Sequence, residues 1–120
     1  MKKEKWKEKI ILECDRAGTY KEYFDSVIDT LAQILEIRDI THEKWVEEGC
    51  EPTVIHVNKA GEPNSTKNPL LTLENDLNSQ ALAYWNSLGL TPSGFKKIKN
   101  DMAVVSETSL EELLNTIESG

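Results

Sequence analysis

The sequence predicts a mainly α-helical protein with long amphipathic helices, one short inserted β-hairpin and a helix-turn-helix-like corner near the C-terminus. Three observations support this fold class. Apolar residues recur at helical spacing over two long stretches, a β-branched run is bounded by turn residues, and a helix stop is followed at once by a helix start. The chain has 120 residues, which fits a single domain over 1–120.

That domain divides into a basic N-terminal segment, 1–18, a helical core, 19–100, and an acidic C-terminal helix, 101–120. Within the first segment, residues 4–15 predict a short helix that ends near Gly18. Thr19 has the chemistry of an N-cap and Glu22 that of its capping-box partner, so a long helix is expected over 19–48. Its apolar stripe comprises Tyr20, Tyr23, Phe24, Val27, Ile28, Leu31, Ile34 and Leu35.

The inserted hairpin is predicted at about 52–67. The run PTVIHV over 52–57 is β-branched, and the following turn residues lead to a second strand over 64–67. An isolated hairpin is marginally stable in water, so it must pack on helices or on a neighbouring subunit.

The corner is predicted in NSLGLTPSGFKKIKN, residues 86–100. A helix that starts with Asn68 as cap and Pro69 at its first position is expected to stop at Gly89. Thr91 then caps a short helix over 92–100, and Pro92 opens it.

Charge is segregated along the chain. The net charge is −7 and the sequence pI is about 4.8, a balance that does not attract nucleic acid. Residues 1–9 and 91–99 each carry a net charge of +3, whereas 10–90 carry −8 and 101–120 carry −5. Any contact with DNA must therefore come from the two local basic patches.

The sequence offers little catalytic chemistry. Its two histidines, His42 and His56, have no partner at metal-ligand spacing, and no P-loop or nucleophile elbow occurs. We therefore expect neither enzymatic activity nor a metal site or cofactor. No signal peptide or membrane span is evident, so Cys14 and Cys50 are expected to be reduced in a cytoplasm.

Three pieces of the sequence, in order, resemble the small subunit of tailed-phage terminases. They are GTYKEYFDSVIDTLAQILEIRD, VNKAGEPNSTKNPLL and LNSQALAYWNSLGLTPSGFKKI, which together span about 18–98. Members of that family often carry an arginine- or serine-rich stretch after LTP. This chain has Ser93, Gly94, Phe95, Lys96 and Lys97 there instead.

The resemblance implies a non-enzymatic partner of a phage or prophage DNA-packaging motor. Such subunits are mostly helical and assemble into rings. They recognise viral double-stranded DNA and deliver it to a large subunit that carries the ATPase and nuclease. The absence of recognisable catalytic motifs and the segregated basic patches agree with this implication.

The candidate DNA-binding residues are lysines from both basic patches, and each patch has an alternative interpretation. The later lysines could simply complement a solvated helix end, and the earlier ones could belong to a frayed soluble tail. In a ring, every subunit would contribute its copy of each patch, which strengthens a weak contact by multivalency. The set is Lys96, Lys97, Lys99, Lys2, Lys3, Lys5, Lys7 and Lys9.

Two further sets concern protein contacts. The candidates for the oligomer interface are Leu82, Tyr84 and Trp85, with a place in the intrachain core as the alternative. The acidic C-terminal helix is the candidate docking element for the large subunit, with packing on its own domain as the alternative. Its candidate residues are Leu110, Glu111, Glu112, Leu113, Leu114 and Ile117.

Two other functions compete with the packaging role. A helix-turn-helix transcription regulator would use 92–100 as its recognition helix, but this helix is short and offers only Asn100 as a base-reading side chain. A protein–protein adaptor that never touches DNA would fit the acidic balance.

Overall fold

The computed structural model describes residues 1–101, and its frame is a set of helices that pack on a central one. Helix α1 spans Lys3–Ala17, α2 spans Asp25–Glu47 and α3 spans Pro69–Ser87. A fourth helix, α4, runs from 92 to 101. Strands β1 (Thr53–Val57) and β2 (Pro63–Lys67) form the hairpin between α2 and α3, so the mainly helical fold with one inserted hairpin is confirmed.

Helix α2 is the centre of the bundle and runs antiparallel to both neighbours. At its α1 side, the backbone N–H of Lys3 donates to Glu36, and the Nζ of Lys7 lies 3.3 Å from Asp25. At its α3 side, His42 Nδ1 lies 2.9 Å from Glu74 Oε1. Since α2 contacts both neighbours, it contributes the largest share of the core.

The core is one hydrophobic cluster, to which all three long helices contribute side chains. Its buried residues follow the helical spacing that the sequence predicts for α2 and α3, and α1 adds a stripe of its own. The fully or largely buried hydrophobic residues are Trp6, Ile10, Cys14, Ile28, Leu31, Ala32, Ile34, Leu35, Leu77, Ala81 and Leu88. No helix in the part of the chain described is long and apolar enough to cross a membrane.

The start of α2 differs from the sequence prediction. Helix α2 begins at Asp25 after a 3₁₀ turn over Glu22–Phe24, and no side chain caps it. The predicted cap, Thr19, is buried, and its hydroxyl donates to the carbonyl of Cys14 instead. The reason is the end of α1, where Gly18 adopts a left-handed conformation and Thr19 occupies the next position of the C-terminal cap.

The hairpin projects from the helices and is held at its base. Strand pairs run from Thr53 opposite Lys67 to Val57 opposite Pro63, as an antiparallel ladder. At the base, the backbone N–H of Asn68 donates to the carbonyl of Pro52. Beyond that base, nine of the ten strand residues are exposed, the exception being the half-buried Val54.

Candidate nucleic-acid interface

Two of the five N-terminal lysines are held in ion pairs with α2. Lys3 Nζ lies 3.1 Å from Asp29 Oδ2, and Lys7 Nζ lies 3.7 Å from Asp29 Oδ1 and close to Asp25. The hydrogen bond from Lys3, with smaller help from Lys7, holds the pKa of Asp29 below its ordinary value. These two lysines therefore fasten α1 to α2. The carboxylates of Asp25 and Asp29 neutralise their charge, which weakens any attraction for an anionic ligand.

The other N-terminal lysines lie on the outer face of α1. Lys5 and Lys9 are exposed and one helical turn apart, and Arg16 follows seven residues later on the same face. Lys9 Nζ also lies 5.1 Å from the ring centre of Trp6. Glu4, Glu8 and Asp15 lie to the side of this stripe, whereas Glu13 lies between Lys9 and Arg16 on the same face.

Arg16 is a basic residue that the sequence analysis missed. The sequence analysis expects this helix to end near Gly18 but names only lysines as its basic residues, whereas α1 runs to Ala17 and places Arg16 in its last turn. The signal that could have found it is its spacing of eleven residues from Lys5 and seven from Lys9, which keeps all three on one helical face.

The corner between α3 and α4 forms as the capping chemistry predicts. Gly89 is left-handed, and the N–H of Leu90 donates to the carbonyl of Trp85. The Oγ1 of Thr91 then accepts a hydrogen bond from the N–H of Gly94 at 3.1 Å. One helix is thus closed and the next opened within three residues.

Side chains lock this corner at a fixed angle. Asn86 Oδ1 accepts hydrogen bonds from the hydroxyls of Thr91 at 2.6 Å and Ser93 at 3.0 Å. On α4, Gly94 is buried and Ile98 half-buried, so this face of the helix is turned towards the bundle. The direction of α4 therefore follows from its contacts with the rest of the fold.

The three lysines of α4 all lie on its exposed side, but they differ in their contacts. Lys99 Nζ donates to the carbonyl of Gly18 at 3.4 Å and lies 5.4 Å from the ring centre of Phe95. Lys96 and Lys97 are exposed and form no ion pair within residues 1–101. Lys99 is therefore partly engaged in docking α4, whereas the other two are available to a ligand.

The contact between Lys99 and Gly18 brings the two basic patches together. Gly18 ends α1, two residues after Arg16, so α4 meets the stripe of α1 at its C-terminal end. Lys5 and Arg16 are separated by about 16 Å along the helix axis. We call the combined surface the basic edge and define it as Lys5, Lys9, Arg16, Lys96 and Lys99.

The other predicted site residues are placed as follows. Lys2 and Lys97 are exposed and are not part of the basic edge as defined. Leu82 is 61% exposed on α3, whereas Tyr84 and Trp85 are half-buried against the core of their own chain. The predicted docking residues lie outside the described residues. They are Leu110, Glu111, Glu112, Leu113, Leu114 and Ile117.

Comparison with known proteins decides the family. The family described as phage terminase, small subunit, matches residues 3–103, which is most of the chain. The chain belongs to the phage terminase small-subunit family. Searches of curated proteins and of solved structures returned no significant match.

Membership of this family places the protein in phage DNA packaging. The match includes all of α1, which lies outside the stretch of sequence that resembles the family by its motifs, and it includes α4. The small subunit of a terminase is generally its non-catalytic part. Both segments that carry the basic edge are therefore part of the family fold.

Proposed function

We propose that this terminase small subunit is the DNA-recognition subunit of its packaging motor and that the basic edge is the surface that binds viral double-stranded DNA. The observation that carries the proposal is the set of exposed cations that α1 and α4 bring together in a chain of net charge −7. Lysine and arginine that neutralise phosphates supply most of the affinity of such interfaces.

The modest size of the edge favours an oligomer as the binding form. Five cations on a single copy give weak binding, and the acidic remainder of the chain opposes it. A homo-oligomeric ring repeats the edge, so the contacts add along one duplex through a high effective concentration. Leu82, exposed on α3, is our candidate for a contact between copies, with Tyr84 and Trp85 supporting it from the core side.

Bound DNA is then presented to the terminase large subunit, which carries the ATPase and nuclease. We assign no chemical step to the small subunit itself. The acidic C-terminal segment, 101–120, is our candidate for docking the large subunit, because its apolar and acidic residues suit a basic partner surface.

The test is a titration of DNA binding against salt concentration. We expect Lys9→Glu/Arg16→Glu to weaken binding to duplex DNA at least tenfold at 50 mM salt. We also expect the dependence of log K on log salt to become shallower by about 0.9 for each phosphate that the variant no longer neutralises. A matched control is Glu4→Gln/Glu8→Gln, which changes charges on the acidic flank of the same helix.

The oligomeric mass of each variant has to be measured in parallel, by light scattering or native mass spectrometry. An unchanged salt slope in a variant of unchanged mass would reject the basic edge as the binding surface. Family membership favours this proposal over a transcription regulator, and a basic edge that binds DNA would exclude the adaptor role.

A further inference from the structure

We propose that the β-hairpin is a contact between subunits and that its apolar face lies in a groove on α2 of a second copy of this chain. This inference rests on the self-assembly included in the proposed function and assigns a surface to it. Two observations support it. The hairpin is fixed to the helices at its base but exposed along its strands, and a groove on α2 of the same chain has a shape and charge that suit the exposed face.

The base of the hairpin is fixed to the helices by several hydrogen bonds. The side chain of Asn68 donates to the carbonyl of Glu51 at 2.9 Å, and the indole N–H of Trp45 donates to the same carbonyl at 2.8 Å. The N–H of Asn68 also donates to Pro52. The hairpin is therefore presented in a defined direction from the junction of α2 and α3.

One face of the hairpin is apolar and uncovered. Directly opposite residues in an antiparallel pair project to the same side, so Ile55, Val57 and Pro63 share a face. Ile55 is 76% exposed and Val57 is 59% exposed. A two-stranded hairpin gains little stability alone, so such a face indicates a packing partner.

This face is unsuited to DNA. Its only charged residue is Lys67, which pairs with Thr53 next to the base. Readout of a duplex calls for several cations or base-reading side chains, and these lie elsewhere in the fold. A protein surface with an apolar centre and an acidic rim fits the face better.

The chain itself offers that surface on α2. A shallow groove there is lined by Ile40, which is 58% exposed, and by three carboxylates, with the N-terminal segment along one side. Ile37, one turn away, is 38% exposed. The lining residues are Met1, Lys2, Glu36, Asp39, Ile40 and Glu43.

The groove carries three carboxylates against two cations, the N-terminal amine and Lys2, and this net charge of −1 favours a basic occupant. Two of the groove carboxylates are already engaged, because Glu36 accepts the N–H of Lys3 and Asp39 accepts the indole N–H of Trp6. The side chain of Glu43 is exposed and makes no hydrogen bond or ion pair within residues 1–101. Seating Ile55 and Val57 over Ile40 brings a basic residue of the hairpin, Lys67, to a groove with a free carboxylate.

The contact joins two different surfaces, so it is a head-to-tail interface. Each copy donates a hairpin and accepts one, which closes into a ring when the rotation between neighbours allows it. The hairpin makes few contacts with the helices of its own chain, so substitutions at its tip leave the helical core intact.

The first test compares two lysine substitutions on opposite faces of the hairpin. We expect Ile55→Lys to raise the apparent dissociation constant of self-association at least tenfold and to leave the circular dichroism spectrum unchanged. Asn64→Lys, which adds the same charge to the opposite face, is the matched control and is expected to retain the wild-type mass. Analytical ultracentrifugation over a range of concentrations measures both.

The second test identifies the partner surface. In a Cys50→Ser background, mixing Ile55→Cys with Ile40→Cys chains is expected to give a disulfide-linked pair between unlike chains under oxidising conditions. Exchanging charges with Lys67→Glu and Glu43→Lys is expected to weaken association singly and to restore it when both changes are combined.

The outcomes separate the inference from the proposed function. The hairpin contact is overturned if Ile55→Lys keeps the oligomeric mass of the wild type. It is also overturned if the mixed cysteine variants form no disulfide between unlike chains. Neither result contradicts the existence of the oligomer. A wild-type protein that is monomeric at all concentrations overturns both. Weakened association together with the cross-link supports both.

Discussion

Gly94 lies directly against the backbone carbonyl of Asn86, so closely that a Cβ at position 94 would overlap the carbonyl oxygen. This contact joins the first turn of α4 to the last turn of α3. The side chain of Asn86 accepts hydrogen bonds from Thr91 and Ser93 at the same junction. One residue thus holds α4 through both its backbone and its side chain, and this fixes where the lysines of α4 point.

The first prediction is that Gly94→Ala releases α4 from α3. The added methyl group cannot be accommodated without moving backbone, and such overpacking costs about 1–3 kcal/mol. We expect the amides of 92–101 to exchange with solvent faster, and DNA affinity to fall because Lys96 loses its position. Hydrogen exchange followed by mass spectrometry measures the first effect.

Asn100→Ala, on the exposed side of the same helix, is the control and should leave exchange near the wild-type rate. Equal protection of 92–101 in Gly94→Ala and wild type would show that the corner adapts to the extra volume.

The second prediction separates the paired lysines from the unpaired ones. Lys3→Gln/Lys7→Gln removes the ion pairs to α2, so we expect a lower melting temperature with an unchanged salt slope of DNA binding. Exposed ion pairs contribute little to stability because water and salt screen them, so the loss of stability should be small. Differential scanning calorimetry and a salt titration test the two halves of the prediction.

If the double glutamine variant loses as much DNA affinity as Lys9→Glu/Arg16→Glu, the distinction between fastening and binding lysines is wrong. Neutral variants are used for Lys3 and Lys7 because glutamate at those positions would repel Asp29 and unfasten the helix.

The third prediction concerns Lys99 and Lys96, which lie one turn apart on α4. Lys99→Met removes the hydrogen bond to Gly18 and is expected to raise hydrogen exchange in 92–101 about twofold or more. Lys96→Met is expected to leave exchange unchanged and to lower DNA affinity. If Lys99→Met lowers DNA affinity without changing hydrogen exchange, and Lys96→Met does the reverse, then Lys99 acts chiefly as a DNA contact.

The fourth prediction is that Asn68→Ala destabilises the junction of hairpin and α3. The Oδ1 of Asn68 accepts the N–H of Leu70 as a helix cap, and its Nδ2 donates to Glu51. Loss of a cap costs about 0.5–2 kcal/mol. We expect a lower urea midpoint, with Asn75→Ala, exposed in the same helix, as the control.

A midpoint equal to that of Asn75→Ala would show that neither hydrogen bond stabilises the native state. Asn68→Asp is an informative second variant, because it retains the cap and loses the donor to Glu51.

The fifth prediction is a pH dependence centred on Asp39. Burial raises the pKa of this carboxyl, but hydrogen bonds from Trp6, the N-terminal amine and Arg38 outweigh it and hold the pKa below its ordinary value. A lowered folded-state pKa stabilises the protein above the unfolded-state value, and this stabilisation is lost as pH falls through the folded-state value.

We therefore expect Asp39→Asn to lower the free energy of unfolding at pH 7, and the difference from wild type to shrink below about pH 4. Urea titrations at a series of pH values measure it, with any tag at the C-terminus so that the N-terminal amine stays free. A difference that is constant from pH 7 to pH 3 would contradict the role of the charged form.

Much of the fold could be predicted because its signals are local. Asn68, Pro69 and Gly89 mark the ends of α3, and the structure shows the cap and the left-handed glycine that they indicate. The hairpin is bounded in the same way by Pro52 and a turn. Each of these features depends on a few neighbouring residues and their backbone preferences.

The start of α2 could not be predicted because its cause is not local. Thr19 and Glu22 satisfy the capping-box pattern, but Thr19 is buried beside Gly89, seventy residues away. The ion pairs of Lys3 and Lys7 are equally hidden from the sequence, since they depend on which face of α1 meets α2. Composition alone therefore could not distinguish Lys3 and Lys7, which pair with α2, from Lys5 and Lys9, which are exposed.

The hydrogen bond from Lys99 to Gly18 spans 81 residues of chain, whereas the pairing of α1 with α2 and of α2 with α3 needs much shorter loops. Closing a longer loop costs more entropy and comes later in folding. We expect the two helical hairpins to form first and the contact of α4 with the end of α1 to form last. During synthesis, the basic edge is then completed only after α4 has left the ribosome.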